Sequence, residues 1–153
     1  MFLNKKKLDF YEDLYGANMN HHQTALWNDF MAATLKNEEE PLDCEFHLPF
    51  KRVWENAVNI ELYPLKNNGF CLHKISSRKW GRGDGGEALQ WIQELSDKHQ
   101  MIICGSVLPF DKDEDNPLAD KKALSQWYKK RGFITIDNDF QEKIAYFPSY
   151  KMQ

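Results

Sequence analysis

Trp80-Gly81-Arg82-Gly83-Asp84-Gly85-Gly86 is the stretch on which the reading of this chain turns. It follows an apolar, strand-like run at residues 70–75 and precedes an amphipathic, helix-like run at residues 87–95. Glycine lets the backbone approach a ligand closely and adopt positive φ. The first N–H groups of a helix have no intrahelical partner, and the positive end of the helix dipole lies behind them. A glycine-rich turn from strand into helix is therefore a seat for phosphate.

Two common phosphate seats do not fit. A P-loop needs a lysine and a hydroxyl residue after its last glycine, and neither is present. A dinucleotide-binding turn needs Gly-x-Gly-x-x-Gly and an acidic residue at the end of the next strand. Here Glu87 falls at one third-glycine register, and Val107-Leu108-Pro109 ends the next strand without a carboxylate.

Outward from the turn, the periodicities alternate between helix and strand. Residues 4–15 carry Leu8, Tyr11, Leu14 and Tyr15 at helical spacing, with a stop at Gly16-Ala17-Asn18. A second helix is expected over 23–36, with Trp27, Phe30, Met31 and Leu35 inward and Asn20 or Thr24 as its cap. An acidic loop follows at 37–41. Short strands are expected at 44–48 and 57–65. Asn67-Asn68-Gly69 then turns the chain into an antiparallel strand over 70–75. After the helix at 87–98, the continuous apolar run 101–107 reads as a central strand parallel to 70–75. A polar loop at 111–117, a helix at 118–130 ended by Gly132, and a hairpin of 133–136 with 143–147 around Asn138 complete the pattern.

Composition narrows the function classes. The 153 residues are 42% hydrophobic and 14% aromatic, enough for one folded domain with a core. The net charge of −3 speaks against a general nucleic-acid binder, and Lys5 to Lys7 and Lys129 to Arg131 read as solvated surface. No apolar run approaches the ~20 residues that span a bilayer. No apolar signal core follows the basic N-terminus, so a cytoplasmic location is expected. The three cysteines Cys44, Cys71 and Cys104 are widely spaced and odd in number, which argues against a disulfide framework or a zinc motif. Cys71 and Cys104 read as small core residues. His21-His22 are adjacent and point about 100° apart on a helix, so no metal site is expected.

The run Leu72-His73-Lys74-Ile75-Ser76-Ser77-Arg78-Lys79-Trp80-Gly81-Arg82-Gly83-Asp84-Gly85 resembles the acyl-CoA signature of the GNAT acetyltransferase superfamily. That signature is a strand ending in an aliphatic residue, a short polar loop, Arg/Gln-x-x-Gly-x-Gly/Ala, and a helix. Ile75 takes the strand-end place, Gly81, Gly83 and Gly85 the glycine places, and Ala88-Leu89 the first apolar pair of the helix. Downstream, Leu124-Ser125-Gln126-Trp127-Tyr128-Lys129-Lys130-Arg131-Gly132-Phe133 resembles the closing motif of the family, a helix carrying Tyr-x-x-x-Gly-Phe. The resemblance covers 58–147. Trp80 stands in the usual Arg/Gln place, Asp84 stands in a usually aliphatic one, and the N-terminal third does not match.

The resemblance implies an α/β fold of the α+β sandwich kind. Its sheet would be mixed and mostly antiparallel, with a splayed central parallel strand pair and helices on both faces. The chain would be one domain over 1–153, with a helical N-terminal segment at 1–41 and an acyl-CoA-binding core at 58–147. The implied activity is N-acyl transfer from acetyl-CoA, the co-substrate, to an amine by direct attack, with no metal. Ile75 and Ser77 would pair with the pantetheine amides. The main chain of Gly81, Arg82, Gly83, Asp84, Gly85 and Gly86 would hold the diphosphate, with Arg82, Arg78 or Lys79 neutralising charge. Tyr128 matches the residue that protonates the departing thiolate. His73, placed by alternation on the face of Ile75, and Glu61, which shares a face with Tyr63, are the candidate bases. The acceptor class stays open, and net acidity weighs against a nucleic-acid substrate. A homodimer contact or a lid through the first 45 residues also stays open. The alternative is a GNAT-like fold that no longer catalyses and binds a protein partner.

Overall fold

The computed structural model describes residues 19–37, 51–66, 68–79, 81–107, 120–136 and 142–149. The expected helix over 4–15, the strand over 44–48, Trp80, Cys44, and the turns at 111–117 and 138 lie outside them. The elements in chain order are α1 (His21–Ala33), β1 (Thr34–Lys36), β2 (Lys51–Trp54), β3 (Val58–Pro64), β4 (Phe70–Ser77), α2 (Asp84–His99), β5 (Ile103–Ser106), α3 (Lys121–Lys129), β6 (Ile134–Ile136) and β7 (Lys143–Tyr146).

Helix α1 starts where its capping residues require. Gln23 N donates to Asn20 Oδ1 at 2.8 Å, and Asn20 N donates back to Gln23 Oε1 at 3.0 Å. The helix stops at Ala33, earlier than its periodicity implies, and Leu35 lies 74% exposed in β1 rather than on a buried helical face. The cause is distant in sequence. Arg52 on β2 donates from Nε to Thr34 Oγ1 at 3.0 Å and from Nη2 to Thr34 O at 2.8 Å, and β1 pairs antiparallel with β2. Strand β2 itself was not expected. It meets β3 through a tight turn in which Glu55 (φ 53°) and Asn56 (φ 55°) are left-handed, without the glycine that usually announces such a turn.

The seven described strands form one sheet in the order β1-β2-β3-β4-β5-β7-β6. All neighbours are antiparallel except β4 and β5. Val58, Ile60 and Leu62 face the same side of β3 as Phe70 and Leu72 do on β4. Helices α1 and α2 cover that side. Trp27 stacks on Phe70 at 6.4 Å, Phe30 on Trp91 at 5.9 Å, and Trp54 on Trp91 at 5.7 Å. Leu26, Phe30, Ile60, Leu89 and Ile92 are fully buried there. Each such side chain contributes about 1.5–3 kcal/mol relative to exposure.

Candidate functional site

Strands β4 and β5 pair at only two positions, Phe70 with Ile103 and Cys71 with Cys104. Beyond that rung β4 continues to Ser77 and β5 to Ser106 without pairing to each other. Gly105 sits at the point of separation. A Cβ there would lie 2.6 Å from the Leu72 carbonyl oxygen, so only glycine admits this approach. A bulge in β4 lies beside it. Leu62 faces Leu72 and Glu61 faces Lys74, so His73 is the inserted residue. The bulge overturns the simple alternation. Ile75, opposite Ile60, joins the face of Phe70 and Leu72, whereas His73 does not share it.

The glycine loop follows β4. Gly81 (φ 81°) and Gly83 (φ 78°) take the left-handed backbone that the turn demands. Gly83 is the N-cap of α2, with no side chain capping the first N–H groups. The helix thus begins at Asp84, and Gly85 and Gly86 lie within its first turn rather than before it. Asp84 is correspondingly not the cap. Its largely buried carboxylate lies 3.7 Å from Arg82 Nε, and its Oδ2 accepts no hydrogen bond. Glu55, Asn56, Ala57, Arg78, Lys79, Arg82 and Asp84 line a cleft of about 500 Å³ beside the loop. Arg78 is held there by asparagines, donating from Nε to Asn59 Oδ1 at 3.1 Å and from Nη1 to Asn56 Oδ1 at 3.2 Å.

Helix α3 closes on the same turn of α2. A Cβ on Gly85 would lie 2.9 Å from Ser77 Oγ and 3.7 Å from Trp127, and one on Gly86 would lie 2.9 Å from Arg131 Nη2. The two glycines therefore let Ser77, at the end of β4, and Arg131, beyond α3, come against the helix start. Arg131 also lies 4.4 Å from the Trp127 ring centre and donates from Nη1 to Trp127 O at 2.9 Å. Nothing in the spacing of the glycine motif points to Arg131, because its approach is tertiary.

Tyr128, 5% exposed, packs edge-on between Trp127 at 5.0 Å and Phe133 at 5.3 Å. Burial pushes its phenol well above the ordinary tyrosine range, and Cys71 adds to the rise, so it holds its proton through neutral pH. Gly132 (φ 91°) follows α3 as the sequence implies, with Phe133 N donating to Tyr128 O at 3.2 Å.

Glu61 and Tyr63 share a face of β3, the one opposite the α1–α2 layer. Glu61 is 8% exposed and pairs with Lys51 Nζ at 3.6 Å. The Tyr63 ring lies 6.2 Å from that of His73, and burial pushes its phenol upward. Cys71 and Cys104 are half-buried and adjacent across the parallel rung, not separate core residues as their spacing in the chain implies. The structure thus gathers Ser77, Gly85, Gly86 and Arg131 at one end of α2. Glu61, Tyr63, His73 and Cys71 gather along the opposite face of the sheet.

No family model matches the chain, and no curated protein matches it in sequence. Among solved structures, the anti-CRISPR protein AcrVA5 superposes with a TM-score of 0.51 at 12% identity, over 61% of this chain and 94% of that one. The Bacillus subtilis N-acetyltransferase YlbP, solved in complex with coenzyme A, gives 0.44 at 11% identity, over 97% and 93% of the two chains. The fold is GNAT-like. This GNAT-like sheet has the mostly antiparallel order and the single parallel pair that the two motifs imply. Among the described residues, no group of three or more His, Cys, Asp or Glu side chains gathers as a metal set. No described helix is long and apolar enough to cross a membrane.

Proposed function

We propose that this chain is an acyl-CoA-dependent N-acyltransferase that moves acetyl from acetyl-CoA to an amine. The observation that carries the reading is the wedge between β4 and β5, which opens beside the uncapped start of α2. A parallel pair that parts after one short ladder leaves strand N–H and C=O groups free for an extended amide chain such as pantetheine. Ile75 and Ser77 lie along the length of β4 that pairs with β3 but not with β5, and would meet the amides. The N–H groups from Gly81 to Gly86 would hold the diphosphate, with Arg82 and Arg131 as cations.

These residues fit a diphosphate on two counts. The first-turn donors carry no side-chain cap, and the cations lining the cleft, Arg78, Lys79 and Arg82, outnumber the carboxylates of Glu55 and Asp84. The thioester supplies an activated acyl carbon. A deprotonated amine attacks its carbonyl, the C–S bond breaks, and the thiolate takes a proton. Tyr128, held protonated by burial, is the proposed donor. Glu61 is the proposed base in preference to His73, because it is buried and beside Tyr63 whereas His73 is exposed.

The orphan Oδ2 of Asp84 favours a second reading, a GNAT-like fold that binds a protein partner without catalysis. A buried carboxylate at an anion seat, in no hydrogen bond and only 3.7 Å from Arg82 Nε, repels a diphosphate. Calorimetric titration with acetyl-CoA separates the two readings. Saturable binding, followed by acetylation of a panel of amines, supports the enzyme. No heat at millimolar acetyl-CoA removes the enzyme reading and leaves the binding module.

A further inference from the structure

The sheet face opposite α1 and α2 carries a thiol pair that the proposed acyl transfer does not use. Cys71 and Cys104 are directly opposed on β4 and β5. Neighbouring strands lie about 4.7–4.9 Å apart, and a disulfide needs a Cα separation of roughly 4.4–6.8 Å. The spacing of a paired rung therefore falls within the Cα range that a disulfide spans. Neither thiol is sealed in the core, since both residues keep partial solvent exposure.

The two thiols are chemically unequal. Cys104 is held below the ordinary cysteine range, first by a hydrogen bond from the Cys71 thiol and also by the charge of Lys143, against its own burial. Cys71 is pushed up by the same shared hydrogen bond and by burial. Tyr63 faces Cys71 across β3 and β4. One thiol is thus prepared to react as thiolate while its neighbour keeps its proton.

We propose that Cys71 and Cys104 form a two-electron thiol–disulfide site that takes hydroperoxides, with Cys104 as the attacking sulfur and Cys71 as the resolving one. The Cys104 thiolate attacks one peroxide oxygen. The O–O bond breaks, and the departing oxygen takes up a proton as water or alcohol. Cys104 is then a sulfenic acid. The Cys71 sulfur attacks it, the S–S bond forms, the S–O bond breaks, and the Cys71 proton leaves with the hydroxyl as water. Two thiols are oxidised and one peroxide is reduced. The resulting bond fastens the rung from which β4 and β5 separate.

The test uses the full chain with Cys44→Ser, so that only this pair remains. Hydrogen peroxide should lower the intact mass by two hydrogens, peptide mapping should join Cys71 to Cys104, and dithiothreitol should reverse both. In Cys71→Ser, and in Cys71→Ala in case serine is poorly tolerated, dimedone should label Cys104 after peroxide. Circular dichroism checks that each variant is folded. Two titratable thiols persisting after peroxide, or a link only between chains, overturns the site. Preferential dimedone labelling of Cys71 in Cys104→Ser at a rate above that of Cys104 reverses the roles and refutes the assignment. None of these readouts depends on acetyl-CoA, so the proposal stands or falls apart from the acyltransferase reading.

Discussion

Replacing Gly105 with alanine tests the geometry on which the wedge depends. The added Cβ would stand 2.6 Å from the Leu72 carbonyl oxygen, against 3.4 Å at ordinary contact. The obstacle is backbone and not the flexible end of a side chain, so rotation cannot relieve it. The strands must yield by about 0.8 Å at the rung next to Cys71 and Cys104. Overpacking of this kind costs about 1–3 kcal/mol. In a chain of this size each kcal/mol lowers Tm by about 2–4 °C, so a fall of about 2–12 °C is expected. Gly83→Ala is the matched control. Its Cβ would meet nothing within 4 Å, and only its φ of 78° opposes the change. That conformational term is about 1–2 kcal/mol. Thermal melts followed by far-ultraviolet circular dichroism read both. If Gly105→Ala melts with the parent while Gly83→Ala is destabilised, the close approach of β5 to Leu72 is not real and the wedge argument fails with it.

Tyr128→Phe should lower the acetylation rate about 10²–10⁴-fold with little change in acetyl-CoA affinity, as measured by steady-state kinetics and calorimetry; unchanged turnover removes the phenol from the mechanism. Asp84→Asn should tighten acetyl-CoA binding in a titration at low salt. It should cost no more than about 1 kcal/mol from the lost carboxylate at the helix start. Weaker binding would mean that the carboxylate serves the ligand. Asp29 is held below the usual aspartate value of 3.8, first by its hydrogen bond with His99 and then by Lys98. A depressed folded-state carboxyl stabilises above the unfolded value, and that stabilisation is lost as the pH falls through the folded one. Asp29→Asn should therefore melt below the parent at neutral pH and converge with it at the acid end. The gap should be small because Asp29 is partly solvated and its second partner, Lys98, is exposed, and a gap that persists in acid contradicts the assignment.

Local sequence was sufficient wherever a short-range rule had no competitor. Asn20 is one of the two caps that the sequence offers for α1 and the one the structure uses, Gly69 and Gly132 mark turns, and the order of glycine turn, apolar run and Tyr128-to-Phe133 motif foretells a GNAT-like sheet with one parallel pair. Periodicity also points to a helix at 87–98 and strands at 57–65 and 70–75, which the structure places at 84–99, 58–64 and 70–77. The sequence does not show where Arg52 reaches, so its periodicity puts Leu35 in the helix although the Thr34 carbonyl and hydroxyl are claimed from β2. Nor could it show the inserted His73, because a bulge is defined only against the partner strand and turns every later side chain to the other face. Cys71 and Cys104 look unrelated along the chain and become neighbours only when two strands pair in parallel. Arg131 reaches Gly86 only because α3 packs there. Hydrogen-bond periods and caps act over a few residues and are written locally. Register, bulges and the meeting of side chains from distant elements depend on how those elements pack, and only the folded chain decides them.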